Sequence, residues 1–147
     1  MRLTLLFFAF IFTASLGAQS PDKSIFQNRG AVRDFAISPD GQWLVLAHEH
    51  EALTLWDTRN GAQKASYLGF RYSPMCVTFS PDGRFVAVGS GDSLVRVLSI
   101  PALRLVSALE GHLNWVYDVE WHPKRNEIIS GSTDSTIAVW SKSGSPM

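Results

Sequence analysis

The chain has 147 residues, of which 13 are Lys or Arg and 13 are Asp or Glu, so its formal net charge is zero. A chain without net charge sets up no field that attracts nucleic acid or an anionic membrane surface, and neither class of partner is expected. Apolar residues make up 46% of the sequence, enough for one domain with a packed core. The lone cysteine, Cys76, excludes an intrachain disulfide; it lies in an apolar run typical of a strand, where we expect a half-buried and unreactive thiol.

The N-terminal segment has the pattern of an export signal. Arg2 supplies a positive charge, residues 3–12 contain no charge, and small residues predominate at 14–18. A charged start, a short apolar run and a small-residue exit define a secretory signal peptide. We therefore predict cleavage after Ala18 and an exported chain, secreted or periplasmic, without membrane contact after cleavage. The alternative is an uncleaved membrane anchor, for which the apolar run is short against the about 20 residues that a span needs.

Three landmarks recur along the rest of the chain at one interval of 42 residues. Each landmark appears once in each repeat: Pro39, Pro81 and Pro123; His50, Asp92 and Asp134; Trp56, Leu98 and Trp140. Three landmarks that share one period without insertions indicate a repeat protein. We therefore predict a signal peptide at 1–18 and a three-repeat domain at 19–147.

Each repeat alternates short apolar runs with turn residues, which is the pattern of β-strands joined by tight turns. The Ser-Pro-Asp-Gly motif at 38–41 recurs at 80–83 and predicts a tight turn, because proline presets one backbone angle and glycine accepts a positive φ. Beyond residue 18 no stretch has the length and periodicity of a helix, so the fold is predicted to be all-β. First strands are predicted at 31–37, 74–79 and 115–121, second strands at 43–48, 85–90 and 127–132, third strands at 52–57, 94–99 and 136–141, and fourth strands at 62–68 and 103–109.

The third repeat carries four polar or aromatic residues at fixed offsets. His112 precedes Ser130 by 18 residues, Asp134 by 22 and Trp140 by 28. With the glycine that precedes the histidine, this series resembles a WD40 repeat, the four-stranded blade of a β-propeller. The resemblance implies that the four residues form a buried structural tetrad, in which His, Ser and Trp offset the desolvation of the Asp carboxylate.

The other two repeats depart from this pattern. Repeat two keeps only the acid and repeat one keeps only the tryptophan; the equivalent residues are Phe70, Val88, Asp92 and Leu98 in repeat two, and Asn28, Leu46, His50 and Trp56 in repeat one. We therefore predict a divergent propeller, in which Asp92 has lost its donors and faces solvent.

Repeat three lacks a fourth strand after its third. Residues 24–27 fall on the fourth-strand position of the 42-residue register, and the resemblance implies that this N-terminal strand completes the last blade. Three repeats are fewer than the about four to eight blades of WD40-like propellers, so we predict a dimer that forms a six-bladed ring. A closed three-bladed monomer and a fragment of a longer propeller are the alternatives.

Two clusters suggest chemistry, and both have a simpler structural explanation. His48 and His50 could hold a metal ion, but the sequence marks no third ligand and the register places them at a turn. His112, Ser130 and Asp134 have the composition of a hydrolase triad, but no Gly-x-Ser-x-Gly elbow surrounds the serine. We therefore predict no catalytic residue, no metal site and no other cofactor.

The resemblance also implies a partner-binding surface. In WD40 proteins the residues three and five positions after the Gly-His histidine often face the top of the propeller and contact partners. By register, the residues of this kind whose side chains are enriched at interfaces are Trp115, Tyr117, Met75 and Arg33. We predict that they bind a protein or peptide; packing of Trp115 and Met75 against neighbouring loops is the alternative.

The function that the resemblance implies is a non-enzymatic protein-interaction scaffold, here an exported one. A propeller-type enzyme or cofactor-binding subunit, such as a lactonase-like hydrolase, would need inward-pointing acids and histidines at several blades. Only the turn at His48 and His50 offers anything similar. A truncated fragment of a longer propeller, without a function of its own, is the remaining alternative.

Overall fold

The computed structural model describes residues 30–50 and 52–141. They form three antiparallel sheets, which we call blades 1, 2 and 3, and in each the strands pair in chain order. Blade 1 consists of β1 (Val32–Ile37), β2 (Trp43–His48), β3 (Ala52–Asp57) and β4 (Ala62–Tyr67). Blade 2 consists of β5 (Pro74–Phe79), β6 (Phe85–Ser90), β7 (Val95–Ser99) and β8 (Arg104–Leu109). The described part of blade 3 consists of β9 (Val116–Trp121), β10 (Glu127–Ser132) and β11 (Ile137–Ser141).

The prediction of an all-β fold is confirmed, and the predicted strands differ from the observed ones by at most one residue at either end. Among residues 30–50 and 52–141 the structure contains no helix with the length and hydrophobicity that crossing a membrane requires. The predicted strand at 24–27 and the predicted signal peptide at 1–18 lie outside the described residues.

The Ser-Pro-Asp-Gly motif forms the turn between the first two strands of blades 1 and 2. In blade 1 the Ser38 hydroxyl donates a hydrogen bond to the Asp40 carboxylate at 2.5 Å, and Gly41 has a φ of 72°. The equivalent residues of blade 2 repeat this geometry, with a distance of 2.6 Å between serine and aspartate and a glycine φ of 69°. These bonds lie within the turn, so the motif by itself fixes the register of each hairpin.

Two apolar layers join the blades face to face. Side chains alternate between the two faces of a strand, so each blade has one face toward the preceding blade and one toward the following blade. The layer between blades 1 and 2 contains Val45, Ala47, Leu53 and Leu55 against Val77, Phe79, Val88 and Leu98. The layer between blades 2 and 3 contains Cys76, Ala87, Val95 and Val97 against Val119, Trp121, Ile128 and Trp140.

The first strands of the three blades, β1, β5 and β9, lie side by side. The backbone N–H of Val77 on β5 donates to the Asp34 carboxylate on β1 at 2.7 Å. The Thr78 hydroxyl on β5 donates to the Glu120 carboxylate on β9 at 3.1 Å. The blades are therefore arranged as adjacent sectors around their first strands, and the loops that lead into these strands come together at one end.

Cys76 is buried in the layer between blades 2 and 3, more deeply than the sequence predicted. Burial raises the pKa of its thiol to about 12. A thiol that stays protonated at neutral pH is a poor nucleophile, so Cys76 acts as a small apolar core residue.

Candidate functional site

The structure places the four predicted tetrad residues of blade 3 in one hydrogen-bond network. His112 Nδ1 lies 2.9 Å from the Asp134 carboxylate, and His112 Nε2 lies 2.8 Å from Ser130 Oγ. The indole N–H of Trp140 donates to the same serine oxygen at 2.8 Å. A carboxylate can only accept, so His112 donates its Nδ1–H to Asp134.

Asp134 is the charged end of this network. The Thr136 hydroxyl donates to its carboxylate at 2.6 Å, and the backbone N–H of Leu113 donates at 2.8 Å. The hydrogen bonds from Thr136, Leu113 and His112 outweigh desolvation and hold the pKa of Asp134 well below its ordinary value. The network therefore ties the loop before β9 to the turn between β10 and β11.

Ser130 is not placed to act as a nucleophile. It is almost completely buried, and its oxygen is engaged by both His112 and Trp140. A hydrolytic serine needs an oxygen that a substrate carbonyl can approach. These residues therefore share the Asp–His–Ser hydrogen-bond order of a hydrolase triad, but the serine oxygen is closed to a substrate.

Blade 2 has a different network, and the prediction that Asp92 faces solvent is wrong. The side chain of Asp92 is only 6% exposed and that of Arg96 only 8%. The Arg96 guanidinium contacts both carboxylate oxygens, at 2.9 and 2.7 Å, and Ser90 donates to one of them. Burial by itself would raise the pKa of Asp92, but the hydrogen bonds from Arg96 and Ser90 outweigh it and lower the pKa.

Phe70 explains why an arginine can occupy this interior. Phe70 stands at the histidine position of the tetrad, and the Arg96 guanidinium carbon lies 5.1 Å from the centroid of its ring. A guanidinium that stacks on an aromatic face and pairs in bidentate fashion with a carboxylate is one of the few buried ion arrangements with good geometry. The sequence contained a signal of this ion pair, since Arg96 follows Asp92 by four residues and is flanked by apolar residues.

Blade 1 has a third arrangement, built on a strand hydroxyl. Thr54 on β3 is fully buried, and its Oγ1 accepts the Trp56 indole N–H at 2.8 Å. His48 Nε2 lies 2.8 Å from the same oxygen, and the His48 ring is buried. His48 therefore belongs to the interior of blade 1, whereas His50 is exposed in the following turn.

The two histidines thus differ in environment, which does not suit a shared metal ion. Within residues 30–50 and 52–141 no group of three or more His, Cys, Asp or Glu side chains lies close enough to hold a metal.

Three of the four predicted partner-binding residues line one cleft at the loop end of the blades. We call it the loop cleft; its lining residues are Arg33, Tyr72, Ser73, Met75, Gly91 and Trp115. Met75 is half-buried, Trp115 is 47% exposed and Tyr72 is exposed. All three blades contribute to the cleft, with Arg33 from blade 1, Met75 from blade 2 and Trp115 from the loop before β9.

Tyr117, the fourth predicted residue, lies beside the loop cleft. Its ring centroid is 6.0 Å from that of Trp115, with an angle of 44° between the rings. Together with Gly131 and Ile137 it lines a separate depression on the face of blade 3 that is turned away from blade 2. Sequence reasoning missed Tyr72, although an aromatic residue two positions before the first strand of blade 2 was a usable signal.

Polar contacts hold the loops around the cleft. The Arg33 guanidinium pairs with the Glu49 carboxylate at 3.1 Å. The Ser73 hydroxyl donates to the Glu49 backbone carbonyl, which connects the turn of blade 1 to the loop of blade 2. The cleft thus has aromatic and thioether walls on a scaffold of strands, and side chains of these kinds are enriched at protein interfaces.

Comparison with known proteins decides the family. The WD40 family model, described as WD domain, G-beta repeat, matches residues 64–99 and 103–141, just over half of the chain. The chain belongs to the WD40 family. The predicted fold, WD40-like β-propeller blades, is thereby confirmed, and proteins of this family are generally non-enzymatic scaffolds.

Several curated relatives resemble this WD40 chain along most of its length. The UBP9-binding protein bun62 of Schizosaccharomyces pombe is 33% identical over 118 residues, which span 77% of this chain and 22% of the relative. The nuclear distribution protein nudF of Emericella nidulans is 30% identical over 130 residues, 74% of this chain and 29% of the relative. The chain therefore spans less than a third of the length of these relatives.

Two solved structures share the arrangement of the three blades. The structure of U3-55K has a TM-score of 0.81 at 17% identity, and that of the RRP9 WD40 repeats has a TM-score of 0.80 at 17% identity. Each comparison covers 84% of this WD40 chain, and 40% and 39% of the two structures. At 17% identity the similarity to these structures shows a shared fold and nothing further.

Proposed function

We propose that this WD40 chain is an exported, non-enzymatic scaffold that binds a protein or peptide at the loop cleft. The observation that carries the proposal is the convergence of side chains from three blades on one cleft, with Tyr72, Met75 and Trp115 available to a partner. Aromatic and methionine side chains are enriched at protein interfaces, where a few of them contribute most of the binding free energy.

The chemistry of the cleft favours a partner with an apolar anchor. Between Tyr72, Met75 and Trp115 the walls are aromatic or thioether, and the Arg33 cation at the rim is already paired with Glu49. The cleft therefore suits an aliphatic or aromatic side chain of a peptide segment. A nucleic acid ligand is not supported, because the chain has no net positive charge.

Substitution of Trp115 by Ala tests this site. We expect partner affinity to fall by about thirtyfold, because a hot-spot side chain is worth about 2 kcal/mol. The melting temperature should stay nearly unchanged, because Trp115 is about half exposed. The partner would first be identified by photo-crosslinking from the cleft in the exporting cell, and affinity would then be measured by titration calorimetry.

Leu113 provides the matched control, since it is an exposed apolar residue of the same loop but does not line the cleft. Leu113→Ala should leave the affinity unchanged. A large fall in the melting temperature of Trp115→Ala would mean that the ring is part of the core, and the assignment of the cleft would be wrong.

The export part of the proposal rests on residues 1–18, with their positive start, uncharged apolar run and small-residue exit. We expect the chain recovered from its native host to begin at or near Gln19, which N-terminal sequencing would detect. Soluble protein that retains Met1 or Arg2 would contradict export by this signal.

A further inference from the structure

At the interface between blades 2 and 3 one side chain, which we call the knob, fills the space beside a glycine, which we call the notch. A Cβ atom added to Gly89 on β6 would lie 2.7 Å from Val116 Cγ1 and 2.6 Å from Cys76 Sγ. Val116, at the start of β9, is fully buried, so its side chain occupies the space that the glycine leaves. At the interface between blades 1 and 2 the equivalent residues are Pro74 and Ala47, and both are buried.

Blade 3 carries the same notch without a knob. Gly131 on β10 follows Gly89 by one repeat, and a Cβ atom there would meet nothing closer than Asp118 Cβ at 4.0 Å. Around the notch Ile137 is 77% exposed and Val139 is also exposed. Their equivalents in the other two blades, Leu53 and Leu55 in blade 1 and Val95 and Val97 in blade 2, are completely buried.

Blade 1 carries the same knob without a notch. Val32, at the start of β1, stands at the position of Val116 and is exposed. Phe35 is 61% exposed and Ile37 is 56% exposed. Their equivalents in the later blades, Val77 and Phe79 in blade 2 and Val119 and Trp121 in blade 3, are buried against the preceding blade.

The exposed faces of blades 1 and 3 therefore correspond to the two sides of one interface between blades. We propose that a second copy of this chain covers them, so that Val32 of one copy fills the Gly131 notch of the other and Phe35 and Ile37 pack on Ile137 and Val139. This occupant follows from the register, because each end repeats the residue positions that the two internal interfaces already join. A formal net charge of zero leaves no overall repulsion between copies.

Asp118, beside the notch, fits the same arrangement. It stands at the position of Asp34, whose carboxylate crosses the interface between blades 1 and 2 to accept a backbone N–H of β5 at 2.7 Å. Two copies joined head to tail at both ends close on themselves and bury every such face. The product has six blades, within the about four to eight of known propellers.

The substitution Gly131→Val tests the notch. Light scattering of the purified wild-type chain should give the mass of two chains, and Gly131→Val should give the mass of one. The variant should keep its strand content, because the added side chain faces open space within its own chain and valine suits a strand. Its melting temperature should match that of the wild-type chain diluted until it is monomeric. Gly89→Val is the matched control at the same position of blade 2, and it should lower the melting temperature because Val116 already fills that space.

Mixing two variants tests the head-to-tail direction. A Gly131→Val copy keeps the knob, and a Val32→Asp copy keeps the notch, so each should be monomeric alone and the mixture should form a one-to-one pair. A wild-type monomer at micromolar concentration, a Gly131→Val dimer or the absence of a mixed pair would overturn the proposal. Open assemblies whose mass grows with concentration would overturn the closed ring. The end faces share no residue with the loop cleft, so this outcome is independent of partner binding there.

Discussion

Substitution of Arg96 by Met is expected to lower the free energy of unfolding by about 3–5 kcal/mol. Asp92 and Arg96 are both nearly inaccessible and pair through both carboxylate oxygens. Without Arg96 the carboxylate keeps only hydrogen bonds from Ser90 and backbone N–H groups, which do not neutralise a buried charge. Urea denaturation followed by circular dichroism would measure the loss.

Two controls separate this effect from a general loss of charge. Arg84→Met removes an exposed ion pair with Asp82 and should cost less than about 1 kcal/mol. The double variant Arg96→Met with Asp92→Leu should recover most of the loss, because it removes both charges and fills the space with apolar atoms. A double variant as unstable as the sum of the two single variants would show that the pair is not the cause.

Substitution of Trp140 by Phe is the second large effect that we expect, with a loss of about 1–3 kcal/mol. Trp140 is buried and donates its indole N–H to Ser130 Oγ, whose hydroxyl in turn pairs with His112. Phenylalanine keeps most of the apolar contact but leaves the serine oxygen without this donor. His112→Ala should cost a similar amount, because it removes one hydrogen-bond partner from Ser130 and one from Asp134.

Trp115→Phe is the matched control, since Trp115 is about half exposed and lies outside the network. Its free energy of unfolding should stay within about 0.5 kcal/mol of the wild-type value. Equal losses for the substitutions at Trp140 and Trp115 would contradict a stabilising role for the network.

Asp134 gives the same network a pH signature. Hydrogen bonds from Thr136, Leu113 and His112 keep its pKa in the folded state below the ordinary value of 3.8. The charged carboxylate therefore makes its full contribution to stability above about pH 3.8, the ordinary pKa. That contribution is lost as the pH falls through the lower pKa of the folded state. Between about pH 6 and about pH 3 the wild-type chain should lose more free energy of unfolding than Asp134→Asn, as urea denaturation at both values would show.

Strands and turns were predictable because their causes are local. Alternation of apolar residues sets which face of a strand is buried, and the Ser38–Asp40 hydrogen bond closes its turn within the motif. The 42-residue period then predicted three similar sheets, and all bounds agree to one residue in the part of the chain that the structure describes.

The polar networks of blades 1 and 2 were not predictable by register alone. The register compares only equivalent positions, and at those positions blade 2 has lost all the donors of Asp92. The structure supplies a different donor, Arg96, from a position where blade 1 has Thr54 and blade 3 has Ala138. A buried charge is satisfied by whichever side chain can reach it, and reach depends on tertiary packing.

The sequence by itself therefore determined the repeat, the strands and the WD40 tetrad. The period is visible along the chain, and each strand and the tetrad depend on residues within one repeat. Only the tertiary structure decided that Arg33, Met75 and Trp115 meet around one cleft while Tyr117 lies outside it. Packing between blades also decided that Val77 is buried and its repeat equivalent Phe35 is exposed, although both stand at the same point of a strand. Burial depends on what lies opposite a side chain, and a one-dimensional pattern records only which side chain is there.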